Sequence, residues 1–401
     1  MKTMNRSDLI ESLSLKFSDL ELEKEDLKII VELFFETLKE EIKKGNRIEF
    51  RDFGVFELKK NKGLIFKNPK NQQSYYVKNK LRVIFKLGKE FKERLNLPFF
   101  AALDLGTQTF RICLGKKIQD QVYFLTRNRE NVRLGEGLVN QEITEEAFKK
   151  GIETLRNFKE LMETYEVKDY RAVGTAIFRK AKNAQEFLAE AKKIGIDIEV
   201  ISPEEEVLLS LKGVLYGLQS QGLVDKKFLV VDIGGGSTEF VLSEKGTPKW
   251  IKSLDIGAVW LKDLFQLRYP VNSKVFKSIM EYLSDKLVDL PKEEVDYVIF
   301  TGGTASLLGA LDLKLKTYSP YPLNGHKISK DRIEMIVKKL ANSDLERISK
   351  IKGMEKGRED IALPGALICW SVLEYFKKDF LILSVYGILE GALLSLIERY
   401  N

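Results

Sequence analysis

The sequence contains very little cysteine and histidine. Cys113, Cys369 and His326 are the only residues of these two types among its 401 residues. Two thiols cannot build a disulfide framework or a four-thiolate metal site, and so few cysteines are typical of a reducing, intracellular compartment. A single histidine excludes a histidine-rich metal site. Any catalysis is therefore expected to rest on carboxylates and backbone amides.

Long apolar segments are also absent. The first twenty residues alternate charged and apolar side chains and lack the apolar core of a signal peptide. The most apolar stretch, from Phe380 to Ile397, carries Glu390 and two glycines. We interpret it as a buried strand and helix rather than a membrane span. The sequence therefore predicts a cytoplasmic protein without a membrane partner.

Positive charge is unevenly distributed along the chain. The net charge is +7, but residues 46–97 alone carry 14 basic and 5 acidic side chains, a net charge of +9. A solvated basic face would explain this excess, and so would a surface that binds nucleic acid. Because Pro98 discourages continuation of a preceding helix, we place a domain boundary near residues 96–98.

The residues before this boundary predict helices followed by a basic β-arm. Ser7 is the predicted N-cap of a first helix, and apolar residues at helical spacing predict a second helix from about residue 23 to 43. Alternating patterns predict strands at 47–50, 55–58 and 81–86, and a short helix at 89–95 closes the domain. So small a domain buries little core by itself, and we expect it to pair with a second copy.

Residues 4–96 resemble the HU and integration host factor family of DNA-bending proteins. The resemblance rests on the two-helix start, the turn Phe53-Gly54-Val55-Phe56, the arm motif Lys67-Asn68-Pro69-Lys70 and the closing run from Val83 to Lys89. It implies a homodimer whose two β-arms wrap the minor groove of double-stranded DNA, with Pro69 as a wedge between base steps. The DNA-binding residues would then be Lys59, Lys60, Lys62, Lys67, Asn68, Pro69, Lys70, Lys78, Lys80, Arg82 and Lys86.

The arm departs from the family pattern. The residues before the Asn-Pro pair are usually rich in arginine, whereas this chain has Gly63-Leu64-Ile65-Phe66, and Asn71-Gln72-Gln73 replaces the usual Thr-Gly-Glu. Arginine enters a narrow minor groove better than lysine or an aliphatic side chain does. Two hypotheses for this domain therefore remain: it binds DNA and associates with the nucleoid, or it serves only for dimerisation or protein contact.

Residues 98–401 contain two copies of one glycine-rich hairpin, 128 residues apart. The first runs from Ala102 to Phe110 and the second from Val231 to Glu239. Each has an apolar strand ending in aspartate, a glycine two residues later, and small polar residues. A single turn of this type is usually structural, but two copies indicate a duplicated domain with a cleft between its halves.

Both turns have the chemistry of a phosphate site. Backbone N–H groups of a glycine-rich turn can approach an anion closely, and the aspartate at each strand end can hold a hydrated divalent cation. A third glycine element, Gly302-Gly303-Thr304, follows a predicted strand and opens a helix, where either an anion site or close packing would explain the glycines. Hydroxyl donors would come from Thr107, Thr109, Ser237 and Thr238.

An acidic run opens a predicted helix between the two hairpins. Ser202 is its predicted N-cap, Pro203 its first residue, and Glu205 completes a capping box. The run also complements the helix dipole, which would explain it without any catalytic role. Capping does not account for Glu206, which can point elsewhere.

Residues 98–401 resemble the exopolyphosphatase and guanosine pentaphosphate phosphohydrolase (Ppx/GppA) family. The matching motifs follow the family order: Asp104 to Arg111, Arg133 to Leu138, Gly174 to Arg179, Ile201 to Glu206, Asp232 to Glu239, Gly302 to Ala305, Gly357 to Asp360 with Leu363 to Gly365, and Tyr386-Gly387 with Glu390-Gly391.

This resemblance implies a fold of the actin, heat-shock chaperone and sugar-kinase superfamily. Two ribonuclease-H-like halves, at residues 98–222 and 223–401, would face each other across a cleft, and the C-terminal helix would return to the first half. With the HU-like helical and β-arm domain at residues 1–96, the chain is expected to be a multidomain protein of the α+β and α/β classes.

The resemblance further implies a hydrolase that attacks the terminal phosphoanhydride of inorganic polyphosphate or of guanosine pentaphosphate. Glu206 matches the catalytic glutamate that would deprotonate water, and Arg179 matches an arginine that would clamp the terminal phosphoryl group. Asp232 and Glu239 match acidic residues near the metal, expected to be Mg²⁺ or Mn²⁺. The phosphate-binding residues would be Asp104, Gly106, Thr107, Gln108, Thr109, Arg111, Gly234, Gly235, Gly236, Ser237, Thr238, Gly302, Gly303 and Thr304.

The first turn differs from the family pattern, which has Ser-Asn-Ser where this chain has Thr107-Gln108-Thr109. Each change adds a methyl or methylene group in a tight turn, so rate or substrate preference can differ. Two hypotheses follow: an enzyme tethered to DNA, or a module that binds the phosphate compound with little turnover and adjusts DNA binding. The sequence favours the enzyme through Glu206 and does not choose between the two substrates.

Overall fold

A computed structural model describes residues 4–16, 23–61, 63–67, 69–70, 72–77, 80–135, 142–223, 225–316, 319–320 and 322–400. The chain divides into two compact units between Leu97 and Pro98. Each unit is described by itself.

The first unit combines helices with a small antiparallel sheet and a hairpin. Strands β1, β2 and β5 form one sheet in that order, and β3 and β4 pair separately as the arm. The helices and strands expected from the sequence are all present. The elements are α1 (Arg6–Lys16), α2 (Lys24–Lys43), β1 (Ile48–Phe50), β2 (Gly54–Asn61), β3 (Leu64–Lys67), β4 (Ser74–Val77), β5 (Lys80–Leu87) and α3 (Lys89–Leu95).

Asn5 caps α1, so the prediction of Ser7 as the N-cap is wrong. The Asn5 side-chain oxygen accepts a hydrogen bond from the Asp8 N–H at 3.0 Å, and the Asp8 carboxylate accepts one from the Asn5 N–H at 2.9 Å. Such reciprocal bonds satisfy two backbone donors at a helix start. The third residue after Ser7 is Ile10, which cannot return a bond.

The first unit leaves much apolar surface exposed. Ile10, Leu27 and Val31 form its small buried core, whereas Leu33 on α2 and Leu81 on β5 are 65% and 66% exposed. The single chain therefore does not bury the whole apolar face that the sequence assigns to α2.

A row of phenylalanine rings extends this apolar surface from α2 onto the sheet. Ring centroids are 5.6 Å apart for Phe34 and Phe50, 6.3 Å for Phe50 and Phe56, 4.6 Å for Phe56 and Phe85, and 5.0 Å for Phe85 and Phe53. We call these five side chains the phenylalanine row. Phe34, Phe53 and Phe85 are exposed. Contiguous apolar surface of this kind usually marks an interaction site.

The second unit begins with a five-stranded sheet in the order β10-β9-β6-β7-β8. Strands β6, β7 and β8 are antiparallel neighbours, and β9 runs parallel to β6. Apolar residues of this sheet pack against the helices that follow it and form one core. The elements are β6 (Phe100–Leu105), β7 (Phe110–Ile118), β8 (Gln121–Glu130), α4 (Glu145–Thr164), β9 (Asp169–Gly174), α5 (Ala176–Lys180), α6 (Ala184–Lys193), β10 (Ile198–Val200) and α7 (Pro203–Leu218).

A six-stranded sheet in the order β13-β12-β11-β14-β16-β15 follows. Strands β11, β12 and β13 are antiparallel neighbours, and β14 runs parallel to β11, so the pattern of the first sheet is repeated. The elements are β11 (Lys227–Ile233), β12 (Thr238–Glu244), β13 (Thr247–Leu254), α8 (Ala258–Leu264), α9 (Ser273–Leu287), β14 (Tyr297–Thr301), α10 (Gly302–Asp312), β15 (Lys327–Ser329), α11 (Lys330–Ala341), α12 (Leu345–Ser349), α13 (Ala362–Tyr375), β16 (Phe380–Leu383) and α14 (Ile388–Glu398).

The last helix, α14, packs against the first sheet of this unit. Leu389 and Leu393 share a buried cluster with Ala102, Cys113 and Val173 of that sheet. The apolar stretch from residue 380 to 397 is therefore a buried strand followed by a buried helix, as expected. Among the helices that the structure describes, none is both long enough and apolar enough to cross a membrane.

Candidate active site

The two glycine-rich hairpins form the same turn. Gly106 N–H donates to the Thr109 carbonyl at 3.0 Å, and Gly234 N–H donates to the Ser237 carbonyl at 2.9 Å. In each hairpin the strand-end aspartate is paired across the strands, Asp104 with Arg111 and Asp232 with Glu239. The duplication seen in the sequence is therefore also a duplication of backbone geometry.

The two turns face each other closely. A Cβ atom at Gly235 of the second turn would lie 2.9 Å from Thr107 Cβ of the first turn and 3.1 Å from its Cγ2. Glycine at this position lets the turns approach, and it also makes room for the additional methyl group that distinguishes Thr107 from the serine of the family pattern.

A cavity of about 300 Å³ lies between the turns. Arg179 and Thr238 are absent from its described lining, whereas the other predicted catalytic, phosphate-binding and metal-binding residues are brought together there. These are Asp104, Gly106, Thr107, Gln108, Thr109, Arg111, Glu206, Asp232, Gly234, Gly235, Gly236, Ser237, Glu239, Gly302, Gly303 and Thr304.

The side chain of Thr238 points away from the cavity, contrary to its predicted role as a phosphate ligand. It is completely buried, and its hydroxyl donates a hydrogen bond to the Ile256 carbonyl. Alternate residues of a strand face opposite sides of the sheet. Because Glu239 faces the cavity, Thr238 faces the core.

Glu206 lies in the first turn of α7 and is 5% exposed. Ser202 caps this helix by accepting a hydrogen bond from the Glu205 N–H at 3.1 Å. The Glu205 carboxylate does not complete the predicted capping box, because it pairs with the buried Arg171 instead. The two neighbouring glutamates therefore face different surroundings: Glu205 faces Arg171, whereas Glu206 faces the cavity.

Arg179 holds the Glu206 carboxylate in place. Its Nη1 donates to Glu206 Oε2 at 2.9 Å and to the Ile201 carbonyl at 2.8 Å. Arg179 is not among the described residues that line the cavity, and its guanidinium is bonded to Glu206. These contacts differ from the predicted role of Arg179 as a clamp on a phosphoryl group. The ion pair fixes the orientation of the Glu206 carboxylate, which could otherwise rotate about its side-chain bonds.

The carboxylates of the cavity are difficult to ionise together. Burial, and then the nearby Glu239 carboxylate, raise the pKa of Glu206 well above its ordinary value, although Arg179 opposes this rise. Burial likewise raises the pKa of Glu239 to about 7 and the pKa of Asp104 to about 6. Burial also raises the pKa of Asp232. Burial is the main cause of each shift, and neighbouring acids add to it for Glu206, Glu239 and Asp104, so a cation in the cavity would favour the ionised carboxylates.

Asp232 is set tightly into the base of the second turn. Its Oδ2 accepts a hydrogen bond from the Ser210 hydroxyl at 2.7 Å. Gly302 stands beside its other oxygen with a φ of +85°, and a Cβ atom there would collide with the carboxylate. Glycine is therefore required at the junction of β14 and α10, both for the backbone conformation and for the close approach.

The two duplicated hairpins differ in the charge they place beside the aspartate. Asp104 is opposite a cation, with Arg111 Nη1 3.6 Å from Asp104 Oδ2, whereas Asp232 is opposite a second acid, Glu239. In the described residues, no three histidine, cysteine or acidic side chains group closely enough to hold an ion by themselves. Mg²⁺ commonly takes one or two carboxylates and completes its shell with water and substrate phosphate. Asp232 and Glu239 fit that mode.

Arginines line the cavity near Gly303. A Cβ atom at this glycine would lie 2.5 Å from Arg358 Nη1 and 2.8 Å from Arg111 Nη2, so both guanidinium groups lie over its backbone. Arg358 is 4% exposed, and burial lowers its pKa to about 10. Its Nε is buried without a hydrogen-bond partner in the described part of the chain, and its Nη1 lies 3.7 Å from the Glu355 carboxylate, beyond hydrogen-bond distance. A phosphate oxygen would satisfy these donors.

Three further charged residues of the cavity were not identified from the sequence. Arg127 and Arg129 lie on β8, and Glu390 lies on α14. Arg127 Nε donates to Glu390 Oε1 at 2.8 Å, and its guanidinium lies 4.8 Å from the Tyr386 ring centroid. The motifs that contain Arg358 and Glu390 are recognisable in the sequence. Whether these two side chains face the cavity depends on the packing of segments more than 200 residues apart.

The residues predicted to bind DNA form a separate set in the first unit. Lys59 is opposite Arg82 across β2 and β5, and Lys86 forms an ion pair with Glu57 at 2.5 Å. Pro69 and Lys70 lie in the turn between β3 and β4, and Lys62, Asn68 and Lys78 lie outside the described residues. The exposed members of the set are Lys59, Lys60, Lys67, Pro69, Lys70, Lys80, Arg82 and Lys86.

Comparison with known proteins relates each unit to a family. Residues 115–400 match the model of the Ppx/GppA phosphatase family, and residues 4–96 match that of bacterial DNA-binding proteins. The chain is 26% identical to a putative exopolyphosphatase of Haemophilus influenzae over 316 residues, which cover 78% of this chain and 95% of the relative.

Longer relatives are matched only in part. A guanosine-5'-triphosphate,3'-diphosphate pyrophosphatase of Vibrio parahaemolyticus is 28% identical over 308 residues, 75% of this chain and 60% of the relative. The chain therefore spans about three fifths of the length of that protein.

Solved structures agree with this relationship. The crystal structure of the Aquifex aeolicus member of the Ppx/GppA family has a TM-score of 0.66 and 30% identity, and the match covers 76% of this chain and 99% of that one. An exopolyphosphatase from Cytophaga hutchinsonii gives a TM-score of 0.70 at 27% identity, over 75% of this chain and 98% of that one. The chain thus belongs to the Ppx/GppA phosphatase family and carries a bacterial HU-like DNA-binding domain ahead of the phosphatase unit.

Proposed function

We propose that the second unit hydrolyses the terminal phosphoanhydride bond of inorganic polyphosphate or of guanosine pentaphosphate. A water oxygen bonds to the terminal phosphorus, the bridging P–O bond breaks, and the bridging oxygen leaves with the shortened chain. The observation that carries this proposal is the position of Glu206. It is a buried carboxylate aimed into a cavity between two glycine-rich turns and held by Arg179.

Glu206 acts as the general base. It accepts a proton from the attacking water as the oxygen–phosphorus bond forms. A base is most effective when its pKa lies near the working pH, and burial moves the pKa of this carboxyl upward from its ordinary range. Arg179 is the positioning residue for this step because it bonds to Oε2 of Glu206.

The substrate is bound mainly through its phosphoryl oxygens. The backbone N–H groups of the two turns supply donors on opposite sides of the cavity. Arg111 and Arg358, which both lie over Gly303, offset the negative charge of the phosphate chain. Phosphoryl transfer demands chiefly such positioning and charge stabilisation.

A divalent cation fits beside the second turn. Asp232 and Glu239 would hold Mg²⁺ or Mn²⁺ together with phosphate oxygens, since this acid pair has no arginine at the position that Arg111 occupies in the first turn. When bound, such an ion neutralises phosphate charge and orients the terminal group. The residues of this chain supply the base, the donors and the walls of the cavity.

The first unit binds double-stranded DNA as a homodimer. Its exposed lysines are suited to phosphate contacts, and Pro69 lies at the tip of the arm, where it would wedge between base steps. A second copy would cover the phenylalanine row and the exposed leucines of α2 and β5. These features support a cytoplasmic enzyme that is tethered to the nucleoid.

A paired-substrate assay tests the enzymatic proposal. Phosphate release from polyphosphate and from guanosine pentaphosphate is measured for the full chain, for Glu206→Gln and for Glu205→Gln. The second variant is a matched control, because Glu205 is the neighbouring carboxylate but pairs with Arg171. We expect Glu206→Gln to lower kcat by about 100-fold or more, within the usual range for general-base catalysis.

Two results would contradict the proposal in different ways. Equal turnover by the wild type and Glu206→Gln would show that Glu206 is not the general base. Tight binding of either substrate without turnover by the wild type would instead favour the binding module that senses these compounds.

DNA binding is tested by gel shift of the full chain over a series of salt concentrations. Affinity should fall as salt rises, and the double variant Lys59→Glu/Arg82→Glu should bind more weakly and with a smaller dependence on salt. Lys24→Glu/Lys28→Glu on α2 carries the same charge change at exposed lysines outside the predicted DNA-binding set and serves as the control. A shift that is absent from the wild type, or insensitive to salt, would refute DNA binding.

A further inference from the structure

A buried serine of helix α7 donates a hydrogen bond to an acid of the active site. Ser210 is 2% exposed, and its hydroxyl lies 2.7 Å from Asp232 Oδ2. We propose that Ser210 is a positioning residue, which orients the Asp232 carboxylate to bind the divalent cation. The inference rests on the proposed metal-assisted hydrolase and adds a residue that lies outside both the sequence motifs and the described lining of the cavity.

The hydrogen bond from Ser210 gives the two oxygens of Asp232 different surroundings. Oδ2 accepts this hydrogen bond, whereas Oδ1 lies next to Gly302, where a Cβ atom would collide with it. Gly302 and Asp232 both line the cavity. Oδ1 can therefore bind a cation while the orientation of the carboxylate is held through Oδ2. A partner of this kind behind a metal ligand fixes the direction of the ligand and supports metal affinity.

The second acid of the pair has a hydroxyl partner as well. Ser253 Oγ donates to Glu239 Oε1 at 3.0 Å. The duplicated first turn uses a charged group instead, with Arg111 Nη1 3.6 Å from Asp104 Oδ2. A hydroxyl orients a carboxylate without adding a positive charge. The hydroxyl partners of Asp232 and Glu239 therefore leave the negative charge of this pair available to a cation.

Ser210 and the proposed base lie on one face of α7. Glu206 is in the first turn of this helix and Ser210 follows it by four residues, a spacing that places two side chains one above the other. Glu206 faces the cavity, and the Ser210 hydroxyl is directed to the same side, where it meets Asp232 near the end of β11. One helix thus carries both the base and the donor that holds the metal-binding acid.

Direct backbone contacts with α14 hold this part of α7 in place. A Cβ atom at Gly213 would collide with the Gly387 carbonyl, and one at Gly391 would collide with the Leu209 carbonyl. Leu209 immediately precedes Ser210. The hydroxyl is therefore presented from a helix that cannot move closer to α14, which suits a residue that fixes the direction of its neighbour.

A buried serine can also serve only to satisfy a buried acid, and the two roles predict different results. Loss of a merely structural bond would lower the unfolding temperature and leave the cation affinity unchanged. Loss of a positioning bond would lower the cation affinity, because the Asp232 carboxylate could then turn away from the ion. Cation affinity is thus the measurement that separates the two roles.

The test measures the Kd for Mn²⁺ by isothermal titration calorimetry of the full chain in the presence of inorganic phosphate. The variants are Ser210→Ala, Ser210→Cys and Ser243→Ala. The last is the matched control, because Ser243 is completely buried on β12, the strand of Glu239, and its hydroxyl has no hydrogen-bond partner in the described residues.

The Kd for Mn²⁺ should rise about tenfold or more in Ser210→Ala and stay unchanged in Ser243→Ala. It should rise less in Ser210→Cys, because a thiol is a weaker donor than a hydroxyl. The cysteine variant also keeps a donor at this position and carries the comparison if the alanine variant is unstable.

Phosphate release from polyphosphate and from guanosine pentaphosphate gives a second readout. In Ser210→Ala the rate should fall at low Mn²⁺ and recover to near the wild-type rate at saturating Mn²⁺, because the variant loses cation binding and keeps the base. A structural defect of the site would persist at saturating Mn²⁺.

Four results would overturn the inference: no Mn²⁺ binding by the wild type, a Kd that Ser210→Ala leaves unchanged, an equal rise in Ser243→Ala, or a rate that saturating Mn²⁺ does not restore. Absence of phosphate release by the wild type with both substrates would instead overturn the proposed hydrolase. The Kd values for Mn²⁺ would still decide whether Ser210 orients Asp232.

Discussion

The methyl group of Thr107 fills the space in front of Gly135. A Cβ atom at Gly135 would overlap Thr107 Cγ2, whereas it would stand 3.4 Å from Thr107 Cβ. Gly135 N–H also donates to the Thr107 carbonyl at 2.8 Å, so the first turn is held from behind by the segment that contains this glycine. The larger side chain at position 107 is therefore matched by the absence of one at position 135.

This relationship predicts the behaviour of a double variant. Gly135→Ala should displace the first turn and cost about 1–3 kcal/mol of stability, with a loss of turnover, because overpacked sites relax only partly. Adding Thr107→Ser removes the clashing methyl group and should restore most of both losses. Thermal unfolding and phosphate release of the two single variants and the double variant check this. If Thr107→Ser gives no recovery, the methyl contact is not what limits position 135.

Loss of Arg179 should change the pH dependence of the reaction. Arg179 opposes the rise in the pKa of Glu206, so its removal leaves that pKa higher still. Since the base must be deprotonated, the acid limb of the kcat–pH profile should move to higher pH in Arg179→Gln, and kcat at neutral pH should fall about tenfold or more. Lys182→Gln, at an exposed position three residues further along the chain, is the neighbouring control.

If kcat of Arg179→Gln falls by the same factor at every pH, the effect comes from a change in the structure of the site and not from loss of the positive charge. In that case Arg179 would support the fold of the site without setting the ionisation of Glu206.

The metal-free protein should become less stable as the pH rises from about 4 to about 7. Burial raises the pKa of Asp104 to about 6, and burial raises the pKa of Glu239 to about 7, so the folded chain holds these protons more tightly than the unfolded chain. The resulting stabilisation is complete below the ordinary carboxyl pKa values, and is lost as pH rises through the folded values. Thermal unfolding of the second unit in the presence of a chelator measures this trend.

Variants isolate the carboxyl responsible. Glu239→Gln should show a smaller fall in stability across this pH range, whereas Glu244→Gln, an exposed acid on the same strand, should follow the wild type. Mg²⁺ should raise the unfolding temperature most above pH 7, where the paired acids are ionised. A pH response of Glu239→Gln identical to that of the wild type would assign the trend to other groups.

The sequence contained enough information to predict the turns of the active site. Gly106 and Gly234 each follow an aspartate by two residues in similar motifs, and the strands on either side have the apolar patterns of buried β-structure. Helix α7 was also predictable, because Ser202 and Pro203 mark its start. These features depend on residues close together in the chain, where local geometry decides the outcome.

The arginines of the cavity could not be predicted in the same way. Arg127 and Arg129 face the site only because β8 pairs with β7 in a register that shifts between Leu114 and Gly115. The direction of Thr238 likewise depends on which face of β12 meets the core. Register and facing are set by packing between distant segments, and a pattern of residue types does not determine them.

Capping shows the same limit over a short range. Ser7 and Glu205 both satisfy a simple spacing rule, yet Asn5 caps α1 and Glu205 pairs with Arg171. In each case a competing partner forms the observed bond. Asn5 caps α1 because the Asp8 side chain returns a bond to the Asn5 N–H, and Glu205 turns to Arg171 because that buried guanidinium requires an acidic partner.

The exposed apolar surface of the first unit predicts that dimerisation can be broken on α2. Leu33 is 65% exposed, and its helix carries Phe34 of the phenylalanine row, so a second copy would bury this surface. Leu33→Glu places a charge in that interface and should yield a monomer, because an unpaired buried charge is costly. Glu32→Lys, an exposed position beside it, should leave the dimer intact. Sedimentation equilibrium of the full chain distinguishes the two states, and a wild type that is monomeric at every concentration would show that no second copy covers this face.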